Sequence, residues 1–452
     1  MEPSENEAKL VITDISKTAK QLFNSPARYR RSSRAHSGAN VLETEERVLK
    51  CIDEDALIKL LQDMVEIPTV NPPGNEKPCA EFIAIKMREI GFSKVRIMEV
   101  VKNRANVVGW IHGAEQHPLL MLEGHMDTTP VSDIERKEWN SDPFSANIRE
   151  GRIYGKGALD DKSGLAAALI ALKAIKDAGV RTKGSVLFAG LVDEESWMLG
   201  VKHLIKSGLT EDVDGCLSVD GFWGIQTTCG GSLSLDITAI GQSAHAGLHP
   251  SASIGINAIY KMNKLVRALQ KKRPRSHRHP VFRNSWWQVL RIEGGCLTYP
   301  GAVLPDTCRI TLEGKLVPGH KCEDLIEDVE KIIKRLEAAD PGFKAVVNII
   351  ETRHPYETPR HQKIVTALRR SYQQVVGKPP LLNPLRYPMN ATFDTNYISL
   401  EGIPCVSLRA GPDPKEYAGH KANEFVPIDR LIACAKIYAL AIIRYAGCEN
   451  PN

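Results

Sequence analysis

The chain has 452 residues, 42% hydrophobic and 25% charged, which is the balance of a soluble globular protein too long for one ordinary core. A formal charge of +5 is small for that length and argues against nucleic acid as a partner. The longest uncharged apolar run, residues 165–172, is far short of a membrane span, which argues against a membrane partner. Residues 1–50 are polar and basic and read as a flexible arm. From Asp53, apolar residues at helical spacing (Ala56, Leu57, Leu60, Leu61, Met64, Val65) predict a helix that runs into a Pro-rich turn at 67–74. A second helix is expected over 79–90, stopped by Gly91. Extended runs at 95–100, 106–110 and 119–122 follow, and the last delivers His125. A helix over 162–178, a strand over 185–192 and a helix over 195–206 complete a strand–helix alternation. That alternation predicts an α/β fold with a mostly parallel central sheet, where functional residues gather at the carboxyl ends of strands.

The character changes near Gly230. Strand 232–240, helix 254–270, strands 287–292 and 308–317 and a charged helix 323–338 form the split pattern of a small α+β domain. After Pro359 the helix–strand rhythm resumes. The expected organisation is an arm (1–50), a catalytic domain in two pieces (51–229 and 356–452) and an interrupting lid (230–355).

Four clusters carry the chemistry: Gly124-His125-Met126-Asp127, Asp160-Asp161-Lys162, Asp193-Glu194-Glu195 and Gly419-His420-Lys421. Two imidazoles and several acids are the ligand set of hard and borderline divalent metals. His125 and Asp127 project from one side of a strand end, so one can bind metal while the other accepts an imidazole N–H. Asp160 is suited to bridging two cations. Glu194 and Glu195 point in different directions, one to a metal and the other to the water that a metal activates, where a general base belongs. Singly, each cluster has an ordinary explanation: a structural histidine, or acids favoured at a helix start. Their joint order at strand ends favours a metal site. Ten cysteines at irregular spacings suggest neither a disulfide framework nor a thiolate site, and with no apolar leader they point to a reducing, cytoplasmic setting.

The segments 122–128, 154–164, 193–195, 241–245 and 420–424 give the chain its family likeness. It resembles the di-zinc amidohydrolases that include acetylornithine deacetylase, succinyl-diaminopimelate desuccinylase and the glutamate carboxypeptidases, from about Asp53 to the C-terminus. The resemblance implies an aminopeptidase-like zinc domain interrupted by a lid that often dimerises, with two zinc ions per subunit and cobalt or manganese as alternatives. It implies Asp160 as bridging ligand, His125 and Asp220 on one metal, and Glu195 and His420 on the other. Asp127 would orient His125, and Glu194 would be the base and later the proton donor. The Asp160–Asp161 peptide is cis in such relatives. His245, in the lid, would cross from the partner subunit and help polarise the scissile carbonyl.

The chain also departs from these relatives. Residues 302–305 read Ala-Val-Leu-Pro where Asn-Val-Val-Pro is common, and Lys315 stands where an arginine often meets the substrate carboxylate. Residues 390–396 lack another expected arginine, for which Arg386 or Arg409 could substitute. Lys315 and Asn257 are the expected substrate contacts of the lid. The basic run 271–279 reads as a solvated loop, and Trp286 and Trp287 as lid core or dimer surface. The expected activity is hydrolysis of the amide bond of an N-acylated amino acid, with a dipeptidase or carboxypeptidase as the alternative. A non-catalytic relative that binds through its lid is the rival of another class. The expected partners are a small acylated amino acid or short peptide and a second copy joined through the lid.

Overall fold

The computed structural model describes residues 42–248, 254–295, 301–384, 390–413 and 416–449. The chain separates into two units, Met1–Glu46 and Arg47–Asn452, and the second carries the sheets and the site. Of the expected arm, residues 1–41 lie outside the described residues. Residues 42–50 are helical instead of unstructured, and Val48 is buried in the main core.

Helix α1 (Glu54–Val65) starts where predicted because Asp53 caps it, its Oδ1 accepting from Ala56 N at 2.9 Å. It buries Leu57, Leu60, Leu61, Met64 and Val65. Each such side chain taken fully from water contributes about 1.5–3 kcal/mol before the entropy of ordering it. Helix α2 (Lys77–Ile90) ends at Gly91, whose φ of 91° is open to glycine at little cost. Strands β1 (Ser93–Val101) and β2 (Arg104–Ile111) form a hairpin. There follow β3 (Leu120–His125), helix α3 (Lys162–Asp177), β4 (Val186–Leu191), helix α4 (Leu199–Lys206) and β5 (Gly215–Ser218).

Helix α4 begins four residues later than the sequence suggests. Residues 193–198 fold instead as a turn between two left-handed residues, Asp193 (φ 68°) and Met198 (φ 53°). The Asp193 carboxylate accepts from Trp197 N and Leu199 N, satisfying amides that would otherwise seek a helix.

The lid comprises β6 (Gly231–Ile240), α5 (Ala258–Lys271), β7 (Trp286–Gly294), β8 (Thr307–Leu316), α6 (Cys322–Ala339) and β9 (Lys344–Arg353). Its four strands lie in the order β7-β8-β6-β9, all antiparallel. Leu233, Leu235, Ile237 and Ala239 alternate inward to meet Met262, Leu265, Val329 and Ile332 in a core separate from that of the larger sheet. Helix α5 also starts late, because Asn257 Oδ1 accepts from Ile259 N and Tyr260 N. Trp287 packs on this core and donates Nε1–H to Leu269 O at 3.0 Å. Arg275, in the run expected to be solvated, binds Asp328 through its backbone N (2.8 Å) and its Nε.

The chain then returns through α7 (Lys363–Val376), β10 (Cys405–Ser407) and α8 (Ile428–Ala446). The central sheet has six strands in the order β1-β2-β4-β3-β5-β10, and β4, β3, β5 and β10 are parallel. β3 and β4 are buried along their whole length, which is why they read as unbroken apolar runs. The fold is thus α/β with an interposed α+β lid. No helix among the described residues is long and apolar enough to cross a membrane. The described cysteines are free thiols.

Candidate active site

Parallel strands put their carboxyl ends side by side, so the residues just past β3, β4, β5 and β10 meet at one edge of the sheet. Asp160, on the loop before α3, lies at the middle of the group. Its Oδ1 is 3.2 Å from His125 Nε2, and its Oδ2 is 3.3 Å from His420 Nε2. Asp220 Oδ2 is 3.9 Å from the same nitrogen of His125, and Glu195 Oε1 is 3.0 Å from that of His420. Two clusters therefore share one carboxylate: His125, Asp160 and Asp220, and Asp160, Glu195 and His420. The ligand atoms within each lie within 4.8 Å of one another. Each cluster offers one imidazole nitrogen and carboxylate oxygens, and a carboxylate shared through its two oxygens is what a two-ion centre requires. The residues fit a pair of divalent cations.

His420 reaches this place because its segment is tied to that of Asp160. Buried Glu424 accepts from Gly157 N, Leu159 N and Asp160 N at 3.0–3.1 Å. Gly157 has φ +84° with Lys162 and Thr128 packed against it, so a side chain there would be both strained and crowded. The Asp160–Asp161 peptide is cis. His125 Nδ1 lies 3.0 Å from the carbonyl O of Asp127. A carbonyl only accepts, so Nδ1 carries the proton and Nε2 keeps its lone pair for a cation.

Asp127 does more than the sequence suggests. Its carboxylate is 3.5 Å from His125 Nδ1, farther than its own carbonyl. Its oxygens accept from Glu194 N (3.1 Å), Glu195 N (3.2 Å) and Asn71 Nδ2 (2.9 Å), clamping the backbone of both glutamates. Behind it, Asp193 Oδ1 accepts from Asn71 Nδ2 (3.0 Å) and Arg104 Nη1 (2.6 Å), and Arg104 Nε donates to Glu76 Oε2 (2.9 Å). All five of these side chains are buried. Asn71, Glu76 and Arg104 carried no local signal, since they sit in a turn, at a helix start and on a strand.

The electrostatics follow from packing acids and imidazoles together. Burial pushes Glu194 well above the usual carboxylate range, and Asp220, Glu195 and Asp394 reinforce it. Burial would also lift Asp160, but Arg409, His125 and His420 hold it well below that range. Hydrogen bonds to Asp160 and Glu195 raise His420 to about 10.

The family model described as Peptidase family M20/M25/M40 matches residues 121–444. The chain belongs to this family. A relative from Halalkalibacterium halodurans, N-formyl-4-amino-5-aminomethyl-2-methylpyrimidine deformylase, is 27% identical over 450 residues, covering 90% of this chain and 98% of the relative. Among solved structures, aminopeptidase PepT from Bacillus cereus superposes with a TM-score of 0.69 at 20% identity, over 88% of this chain and 99% of that one. A dinuclear metal-binding peptidase of the M20 family from Bacillus subtilis gives 0.61 at 15% identity, over 86% and 98%. This M20/M25/M40 chain is accordingly a metal-binding hydrolase of C–N bonds.

Three expected residues of the M20/M25/M40 chain stand apart from the cluster and make no hydrogen bond or ion pair with it among the described residues. His245 is exposed on a lid turn, its Nδ1 accepting from Gly247 N at 3.0 Å. Lys315 pairs with Glu313 on the same strand at 2.9 Å, and Asn257 caps α5. Of the two arginines considered as substitutes, Arg386 lies outside the described residues, whereas Arg409 is buried against Asp160 and Asp220.

Proposed function

We propose that this protein is a two-zinc amidohydrolase that cleaves the amide bond of an N-acylated amino acid. The observation that carries the reading is Asp160, shared between two imidazole–carboxylate clusters with Glu194 beside them. His125, Asp160 and Asp220 would hold one ion, and Asp160, Glu195 and His420 the other, with cobalt or manganese as alternatives to zinc. When bound, the ions supply Lewis-acid polarisation of the amide carbonyl and acidify water. Glu194 takes the proton of the attacking water, a task that suits a carboxyl whose proton affinity burial has raised. Asp127 keeps that carboxylate in place through the backbone. As the C–O bond forms and the C–N bond breaks, Glu194 returns the proton to the leaving nitrogen, giving a carboxylic acid and an amine.

The lid (230–355) would complete the site when two chains pair through it, with the catalytic domain formed by 51–229 and 356–452. His245, with Nδ1 engaged by Gly247, presents Nε2–H as a donor to the carbonyl oxygen of the opposite subunit's substrate. Lys315 would leave Glu313 to meet a substrate carboxylate, and Asn257 keeps its Nδ2 for a substrate oxygen because the cap uses only Oδ1. Free thiols favour the cytoplasm as the setting.

The deformylase relative supports a small acyl group, whereas the likeness to PepT supports a second reading, cleavage of a short peptide. Zinc-loaded protein offered N-formyl and N-acetyl amino acids alongside dipeptides, with amine release measured, separates the two. We expect turnover of the acylated amino acids, lost by several orders of magnitude in Glu194→Gln with the metal content retained. Full activity in that variant would remove Glu194 from the mechanism, and inertness toward the whole panel would overturn the proposal.

A further inference from the structure

Arg409 lies two residues past β10, and Asp220 lies two residues past β5. Ser407 pairs with Ser218 in that parallel ladder, so the guanidinium and the carboxylate leave adjacent strands at the same height. The Arg409 side chain is 2% exposed. Its Nη1 donates to Asp160 Oδ1 and, at 2.8 Å, to Asp220 Oδ1, while its Nε has no partner. The guanidinium thus directs its Nη1 hydrogen bonds to two carboxylates of one cluster. Asp161, buried with both oxygens unpartnered, adds a third acid to the same neighbourhood. On the other side of Asp160, Oδ2 faces His420 and the Tyr417 hydroxyl and Glu195 faces His420, and among the described residues neither carboxylate oxygen pairs with an arginine or lysine there.

We infer that Arg409 is a resident counter-charge on the His125 side of the centre. It keeps Asp160 and Asp220 together without an ion, and it makes that side hold a divalent cation more weakly than the Glu195–His420 side does. The inference rests on the reading of these five residues as metal ligands. Two like carboxylates that converge on one point repel unless a cation lies between them, and a guanidinium never gives up its proton. An ion can still bind there, because Asp220 Oδ2 and the remaining lone pairs of Asp160 face His125 Nε2. It must do so beside a fixed positive charge, in a buried pocket where repulsion is poorly screened. Among the described residues, no arginine or lysine pairs with Glu195 or with Asp160 Oδ2. The fold therefore makes unequal two sites that the ligand types alone would leave alike.

Zinc binding tests this without reference to activity. The protein is stripped with a chelator, then titrated with Zn²⁺ against a chromophoric zinc chelator, and bound metal is counted by mass spectrometry. The native chain should show two affinities at least about tenfold apart. His125→Ala should keep only the tighter one, and His420→Ala should lose it. Arg409→Met should strengthen the weaker affinity about tenfold and leave the tighter one in place, while Arg409→Lys, which keeps the charge, preserves the gap. Two equal affinities in the native chain, or a weak site unmoved in Arg409→Met, would overturn the role of Arg409 and leave the metal centre standing. If Arg409→Met does not fold, the native titration with the two histidine variants decides alone, and a weak site that maps to His420 overturns the inference. A native chain that takes up no zinc would overturn the metal centre itself, and this inference with it.

Discussion

Asp193 accepts hydrogen bonds from Arg104 Nη1, Asn71 Nδ2, Trp197 N and Leu199 N, and holds a left-handed backbone immediately before Glu194. Glu194, the proposed base, therefore stands on a pedestal whose foot is the Arg104–Glu76 pair. Removing the guanidinium leaves Glu76 and Asp193 as uncompensated buried acids, which shifts the turn that carries Glu194 and Glu195, while His125, Asp160, Asp220 and His420, outside that turn, would still hold the ions. We predict that Arg104→Met lowers kcat about tenfold to a hundredfold with KM and zinc content little changed, and that Arg104→Lys restores part of the loss. Steady-state kinetics with metal analysis checks this, and an equal loss in zinc content would reassign Arg104 to the metal centre. The contrast with His125 or Asp160 explains what the sequence could reveal. Those residues sit in short motifs, one at a strand end and one just before a helix, so local pattern exposes them. The pedestal joins partners 28, 89 and 122 residues apart, and no window along the chain contains it.

At the scale of elements, the periodic helices and the apolar strands were legible to within a few residues. The misplaced starts were those of α4 and α5. In both cases a polar side chain, Asp193 or Asn257, binds amides at or just before the helix start and sets the boundary. Lid packing also hides a titration that no periodicity reveals. His320, between β8 and α6, is buried with Nδ1 2.7 Å from Ser285 Oγ and Nε2 without a partner. Burial lowers its pKa, reinforced by His277 and Arg275 against the opposing pull of Asp324 and Asp328. An unfolded chain binds a proton at this imidazole below about 6.5, whereas the folded lid resists it. The stability from neutral His320 is therefore complete above that value and is lost as pH falls through the lowered one. We predict that the Tm of the native protein falls more steeply between about pH 7 and pH 5 than that of His320→Gln. Calorimetry across that range decides, and parallel slopes would mean that the folded lid protonates His320 as readily as water does.

Across the whole molecule, the separate lid core fixes what one chain can do alone. The lid is tied to helix α4 and to the segments around Ser196 and Thr392 by polar clamps: Lys202 to Glu351 at 2.7 Å, and Arg353 to Thr392 at 3.1 Å and to Ser196 O. These hold β9 against the catalytic part and leave the turn of His245, at the other end of the lid sheet beside β6, exposed to solvent. Under the proposed pairing through the lid, His245, exposed and bonded within its own turn, would serve the other subunit's cluster across a two-fold interface. This arrangement has an arithmetic consequence. His245→Ala spoils the site that its lid would complete, and Glu194→Gln spoils the site of its own chain. When the two inactive variants are unfolded together and refolded as an equal mixture, half the dimers combine one of each, and one site in each of these regains both residues. We predict recovery of about a quarter of native activity in the mixture, against almost none in either variant alone. Amine release from the mixed sample measures it. Failure to complement, in a sample shown by light scattering to be dimeric, would place His245 in the service of its own chain.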